Sequence, residues 1–119
     1  VDWVGAYLFK GEDNELWLHN YLGPRTEVAK IPAGEGVAGK ALAEKSHQNV
    51  LHVEEIEGYE SPAPNASSEM AVVIKAGDEV FGVLDLGSME PEAFTDEDVS
   101  AIAMVADKLA EQFVAEQRQ

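Results

Sequence analysis

EMAVVIKAGDEVFGVLDLGS, residues 69–88, is the segment of the chain with the strongest structural signal. It contains two apolar runs, Glu69–Lys75 and Glu79–Leu86, separated by the short polar turn Ala76–Asp78. Strand-forming runs of this length joined by a Gly-Asp turn are typical of a β-hairpin. The segment therefore predicts two neighbouring antiparallel strands.

Five further elements are predicted upstream of this hairpin from hydrophobic spacing and from turn residues. The first element is predicted to be a central strand with both faces buried, and it forms a hairpin with the second. The third element is a short strand that Pro32 ends, because proline cannot donate a hydrogen bond to a neighbouring strand. In chain order the elements are the strands Val1–Phe9, Glu15–Gly23 and Thr26–Ile31, the helix Gly36–Lys45 and the strand Asn49–Val53. A long loop, Glu54–Ser68, follows, and loops of this length are often functional.

A C-terminal helix is predicted from Asp96 to the end of the chain. Thr95 and Asp98 have the spacing of a capping box, which satisfies two backbone N–H groups at a helix start. One apolar face is expected from the helical spacing of Ile102, Ala106, Leu109 and Phe113. Hairpins with few helices and no βαβ alternation predict an α+β fold, an antiparallel β-sheet with flanking helices.

Length and composition fit one globular domain, residues 1–119, which we expect to be a fragment of a longer chain. Eight Lys and Arg face 23 Asp and Glu, for a net charge of −15. Such a charge repels phosphate groups and anionic lipid, so neither nucleic acid nor membrane is an expected partner. The sequence has no apolar run of membrane-spanning length and no export signal, and we expect a cytoplasmic protein.

Three segments together resemble a GAF domain: IPAGEGVAGKALAEKS at 31–46, the hairpin at 69–88, and FTDEDVSAIAMVADKLAEQF at 94–113. VGAYLF at 4–9 is similar to the first strand of that family. Within the family, the chain resembles the free methionine-R-sulfoxide reductases, through WVGAYL, KIPAGEGVAG, the pair Ser68-Glu69, and GVLDLGS. The resemblance implies the GAF fold over nearly the whole chain.

The catalytic part of this resemblance is missing. The reductases use cysteines at places that match Val28, Ala38 and about Pro62, and this chain has no cysteine. None of the residues present can form a thiolate or a sulfenic acid. We therefore do not expect an enzyme that reduces sulfoxides, and we expect no cofactor.

The binding part of the resemblance is partly kept. It implies an aromatic wall, matched by Trp3 and Tyr7, and carboxylates that hold an amino group, matched by Glu69 and Asp85. The second acid of the D-x-D phrase is Gly87 here, which leaves one carboxylate fewer. The lesser candidates for the lining are Ser68 and the backbone of Ala38.

Each candidate also has a purely structural explanation. Trp3 and Tyr7 share one strand face and are explained at least as well by core packing. Asp85 lies among apolar neighbours and needs a partner of some kind. Glu69 can cap backbone donors without any ligand.

Other site types have weak support in the sequence. His47 and His52 lack the spacing of a metal site, so no metal is predicted. Gly34, Gly36 and Gly39 have GxGxxG spacing but lack the strand and helix of a dinucleotide site. The preferred interpretation is a non-catalytic GAF sensor domain in signal transduction, whose ligand is a small molecule such as a free amino acid, a small amine or methionine sulfoxide. Two alternatives stay open, a cysteine-less reductase relative and a dimerisation module that forms a homodimer through the C-terminal helix.

Overall fold

A computed structural model describes residues 1–118. Six strands form one antiparallel sheet in the order β3-β2-β1-β6-β5-β4. The strands are β1 (Trp3–Lys10), β2 (Glu15–Leu22), β3 (Lys30–Pro32), β4 (Gln48–Val50), β5 (Ser68–Ala76) and β6 (Glu79–Ser88). Two helices, α1 (Gly36–Glu44) and α2 (Asp96–Gln117), flank the sheet, and a 3₁₀ turn spans Val53–Glu55. The α+β class predicted from the sequence is confirmed.

The central hairpin forms as predicted. β5 and β6 pair along their whole length, from Ser68 opposite Ser88 to Ala76 opposite Glu79. Gly77, the first residue of the turn, has φ of +60°, a conformation that favours glycine. The register shifts once, between Ile74 and Lys75, so the hairpin forms as predicted with one irregularity in its pairing.

Alternation along the strands separates two cores. On one face the sheet packs against α1, with Ala41, Val73 and Val83 in the larger cluster. On the other face, α2 packs on β5 and β6 through Ala106 and Ala110. The two faces of the hairpin therefore have different neighbours, and this decides where its polar side chains lie.

Two details of strand burial and helix phase differ from the prediction. β1 is fully buried on one face only, since Val4, Ala6 and Leu8 are half-buried. On α2, Leu109 is 38% exposed and Ala110 is buried in its place. The capping box of Thr95 and Asp98 is confirmed, and the helix extends to Gln117. The predicted extension to the last residue lies outside the described residues.

The short edge strands are displaced from their predicted positions. The third strand was expected at residues 26–31 and lies at Lys30–Pro32, because Thr26 Oγ1 accepts the N–H of Val28 and turns the chain there. The fourth was expected at 49–53 and ends at Val50. Val53 instead donates its N–H to Ser67 O at 2.8 Å, which closes the base of the following loop.

Candidate functional site

Strand register brings the predicted aromatic and acidic residues to one face of the sheet. Trp3 on β1 and Glu69 on β5 both pair with Gly87 on β6, one on each side. Asp85 is two residues from Gly87 on the same strand and pairs with Gly5. Trp3, Glu69 and Asp85 therefore project from neighbouring positions on the face that carries α1.

Glu69 and Asp85 are a buried carboxyl pair, with no exposed surface on either side chain. As carboxylates, they leave Glu69 Oε2 and both Asp85 oxygens without a hydrogen-bond donor. Burial raises the pKa of Asp85 well above its usual range, and the negative charge of Glu69 and a hydrogen bond with it raise it further. A proton held by Asp85 and shared with Glu69 reduces the electrostatic cost of burying the pair.

A loop of residues 56–67, which we call the covering loop, supplies donors to this pair. The hydroxyl of Tyr59 donates to Glu69 Oε1 at 2.7 Å, and the hydroxyl of Ser61 donates to the same oxygen at 2.8 Å. Ser61 Oγ also accepts the N–H of Ala63 at 3.1 Å. One oxygen of Glu69 is thus saturated from within the chain, and the other is not.

The aromatic residues form a buried wall beside the pair. Trp3 is 1% exposed and stacks on Tyr21 of β2, with ring centroids 5.9 Å apart. The Trp3 ring lies over Gly5, where a side chain would collide with it. The Tyr7 hydroxyl donates to Val28 O at 2.8 Å, and its pKa is raised by burial and then by Asp85 and Glu69. Both residues belong to the core as well as to the surroundings of the carboxyl pair.

Ser68 and Ala38 have different surroundings from the other candidates. Ser68 lies on the opposite face from Glu69, where its hydroxyl donates to Glu90 O at 2.7 Å and accepts the N–H of Ala93. Those contacts hold the segment between β6 and α2. Ala38 is buried on α1 and contributes to the lining of a cavity of about 350 Å³ between β3, α1 and the covering loop.

That cavity unites the three positions that the resemblance matches to cysteines. Val28, Ala38 and Pro62 all line it, although they come from three separate segments. Tyr59 lines it as well, whereas Glu69 and Asp85 do not. The phenol of Tyr59 therefore lies between the cavity and the carboxyl pair.

Three contributors from the covering loop were missed by the sequence analysis, namely Tyr59, Ser61 and Ala63. They are spaced by two residues, as in a strand, and two of them carry hydroxyl groups. The segment forms no strand, so this spacing alone predicts no shared contact, and the sequence carries no signal that identifies these residues.

The two histidines named in the sequence analysis have separate structural contacts. His47 Nδ1 accepts the N–H of Val73 at 3.1 Å, and His52 Nε2 lies 3.0 Å from a carboxylate oxygen of Glu92. Within residues 1–118, no three His, Asp or Glu side chains come together in a way that could hold a metal ion. Neither helix of this part of the chain is long and apolar enough to cross a membrane.

One six-stranded antiparallel sheet with a helix on each face is the architecture of a GAF domain. The chain is a member of the GAF domain family, whose model matches residues 2–111.

Known relatives agree with this assignment. The chain is 30% identical over 109 residues to free methionine-R-sulfoxide reductase of Escherichia coli, and the match covers 92% of this chain but only 64% of that protein. The structure of free methionine-R-sulfoxide reductase from Neisseria meningitidis in complex with its substrate is similar with a TM-score of 0.89 and 29% identity, over 98% of this chain and 69% of the other.

A more distant structure has the same fold. The GAF domain of a phosphoenolpyruvate-protein phosphotransferase from Acinetobacter is similar with a TM-score of 0.84 at 18% identity, over 99% of this chain and 73% of that one. At that identity the likeness concerns the fold alone.

Proposed function

We propose that this GAF domain is a non-catalytic sensor that binds a small molecule carrying an ammonium group, such as a free amino acid or a small amine, with methionine sulfoxide as the first candidate. One observation carries the proposal. When both groups are ionised, three carboxyl oxygens, Glu69 Oε2 and both oxygens of Asp85, are buried and receive no donor from the described residues. An ammonium group offers three N–H donors and a positive charge, which is what these oxygens lack.

The surroundings of the pair suit a cation. Trp3 and Tyr7 are buried on the same face, and an ammonium group over an aromatic ring is stabilised by about 0.5 to 2 kcal/mol. Burial of two carboxyl groups is costly without compensation, and proteins rarely keep such a pair in a core for stability alone. A pair of this kind is therefore a candidate binding site with a physical reason behind it.

The relatives support the choice of first ligand. The Escherichia coli relative is named as a reductase of free methionine-R-sulfoxide, and the Neisseria meningitidis structure contains the substrate of such an enzyme. This chain has no cysteine, so reduction through thiols is not part of the proposal. We infer that the domain binds its ligand without converting it and then transmits a signal. We also infer a cytoplasmic location.

Calorimetric titration with methionine sulfoxide, methionine and a panel of small amines tests the proposal. Saturable binding that is lost in Glu69→Gln and in Asp85→Asn is the expected result, because each substitution keeps the shape and removes the carboxylate. Glu12→Gln, which neutralises an exposed carboxylate in the turn after β1, is the matched control and should bind as the wild type does. Absence of binding throughout the panel would overturn the proposal.

A cysteine-less relative of the reductases is the second candidate, favoured by the convergence of Val28, Ala38 and Pro62 on one cavity. It predicts that a variant with cysteine at these three positions gains reduction of methionine sulfoxide in the presence of a dithiol. A correctly folded triple variant that binds the sulfoxide and leaves it unreduced would contradict this candidate.

A dimerisation module is the third candidate. The outer side of α2 exposes Met104 and Val105, at 70% and 49%, and Leu109 lies beside them. An apolar helix side of this kind favours pairing with a second copy, although the net charge of −15 opposes it. Sedimentation at several concentrations and salt levels tests the homodimer, and a monomer at every concentration would exclude it.

A further inference from the structure

We propose that Tyr59 and Ser61 form a latch that holds the covering loop closed over the carboxyl pair, and that a ligand enters only when it displaces them. The part that concerns the ligand rests on the proposed function. The part that concerns the loop rests on the contacts of the two hydroxyl groups, on the packing of Tyr59 and on the anchoring of the loop base. When no ligand is bound, the hydroxyl groups of Tyr59 and Ser61 would take the donor positions at Glu69 that a ligand would otherwise fill.

Hydrogen bonding is the first argument for the latch. Both hydroxyl groups donate to a single atom, Glu69 Oε1, at 2.7 and 2.8 Å. That atom belongs to the carboxyl group that the proposed ammonium would contact. The loop therefore satisfies, with its own donors, half of the group on which binding depends.

Enclosure is the second argument. Glu69 and Asp85 have no exposed surface, and the neighbouring cavity of about 350 Å³ is not lined by either. Tyr59 separates this cavity from the pair, with its ring packed into the space above Gly36 at the start of α1. A ligand in this cavity cannot reach the pair while the phenol of Tyr59 stays in that position.

The anchoring of the loop is the third argument. Its base is fixed by backbone hydrogen bonds, from Val53 N to Ser67 O at 2.8 Å and from Ser67 N to Ser88 O at 2.6 Å. A loop whose ends are held close together is a compact unit. With the base fixed, the side-chain contacts of Tyr59 and Ser61 with Glu69 hold the part of the loop that lies over the site.

Amide hydrogen exchange of the wild-type chain without ligand, compared with Tyr59→Phe and Ser61→Ala, tests the latch itself. Each variant removes one hydrogen bond to Glu69, and Ser61→Ala also removes the acceptor of the Ala63 N–H. We therefore expect exchange within residues 56–66, with Ala63 left out of the comparison, to accelerate by about tenfold. Tyr21→Phe removes a phenol hydroxyl from β2 and should leave exchange in the loop unchanged. Unchanged exchange in both loop variants would overturn the latch, whether or not a ligand binds.

Stopped-flow binding of methionine sulfoxide tests its consequence for the site. If opening limits entry, association with Tyr59→Phe is about tenfold faster than with the wild type, and the apparent affinity is higher. Weaker binding by Tyr59→Phe would overturn the latch, because Tyr59 would then be a ligand contact. If amide exchange is faster in both variants, but neither the wild type nor the variants bind methionine sulfoxide, the latch is supported and the proposed function is overturned. Ser61→Ala provides the same comparison if Tyr59→Phe does not fold.

Discussion

The β-carbon of Ala63 occupies the space that a side chain at Gly87 would need. Gly87 lies on β6 between Trp3 and Glu69. The resemblance described above matches this position to the second acid of the D-x-D phrase. The covering loop of this chain therefore fills the space beside Gly87.

We predict that Gly87→Asp destabilises the fold by about 2 kcal/mol or more. The new side chain collides with Ala63, and its charge would be buried beside Glu69 and Asp85. Urea denaturation measures the effect. Gly87→Asn, which has the same size without the charge, should recover only the electrostatic part.

A double-mutant cycle separates the steric part. Ala63→Gly removes the obstructing β-carbon, so Gly87→Asp should cost less in the Ala63→Gly background than in the wild type. Equal costs in both backgrounds would show that Ala63 does not restrict position 87.

A second prediction concerns the space under the Trp3 ring. A β-carbon at Gly5 would lie 2.6 Å from Trp3 Cζ3, which is too close for a real contact. Gly5→Ala should therefore displace the ring, lower the free energy of unfolding by about 1 to 3 kcal/mol and change the near-ultraviolet circular dichroism. Gly11→Ala is the control, because its β-carbon would meet Phe9 at an ordinary 3.7 Å. Similar losses in both variants would contradict a special role for Gly5.

Local signals in the sequence predicted most of the fold. The Gly-Asp turn and the capping box of Thr95 and Asp98 each depend on a few neighbouring residues, and both are present as predicted. Leu109 was assigned to the buried face of α2 and Ala110 lies there instead, since neighbouring helix positions differ by about 100° and a sequence pattern fixes the phase only approximately.

The sequence predicts the candidate site only for residues on the strands, where side chains alternate between the two faces of the sheet. Glu69 and Asp85 share a face because Glu69 pairs with Gly87, which is two residues from Asp85 on β6. Ser68 precedes Glu69 directly on β5 and therefore lies on the opposite face of the sheet. The contacts of Tyr59 and Ser61 depend on how the covering loop folds back, which no period in the sequence encodes.

Helix capping gives a third prediction, on stability. Thr95 Oγ1 accepts the N–H of Asp98 at 3.1 Å, and Asp98 Oδ2 accepts the N–H of Thr95 at 2.9 Å. Thr95→Ala should cost about 1 kcal/mol in the free energy of unfolding, because the first turn of α2 loses a partner. Thr95→Ser keeps the hydroxyl and should unfold close to wild type. A loss in Thr95→Ser as large as in Thr95→Ala would assign the effect to the methyl group instead.

The carboxyl pair gives a fourth prediction, on pH. An unfolded chain ionises Asp85 near its ordinary pKa of 3.8, whereas the folded chain keeps the proton to a higher pH because burial and Glu69 raise that pKa. Folding therefore binds a proton between the two pKa values, so the free energy of unfolding falls as pH rises through this window. In Asp85→Asn this contribution is absent. The variant should match the wild type near pH 4 and exceed it by about 1 to 3 kcal/mol at pH 8.

Ligand binding should have the opposite pH dependence. An ammonium group favours the ionised pair and expels the shared proton, so affinity for methionine sulfoxide should rise with pH across the same window. Urea denaturation and calorimetry at pH 4 to 8 measure the two effects on one protein. Asp13→Asn changes an exposed carboxylate in the turn after β1 and should leave both profiles as in the wild type. Wild-type stability that rises with pH relative to Asp85→Asn would mean that Asp85 is ionised in the folded protein, and a donor for it would then have to be found within the chain.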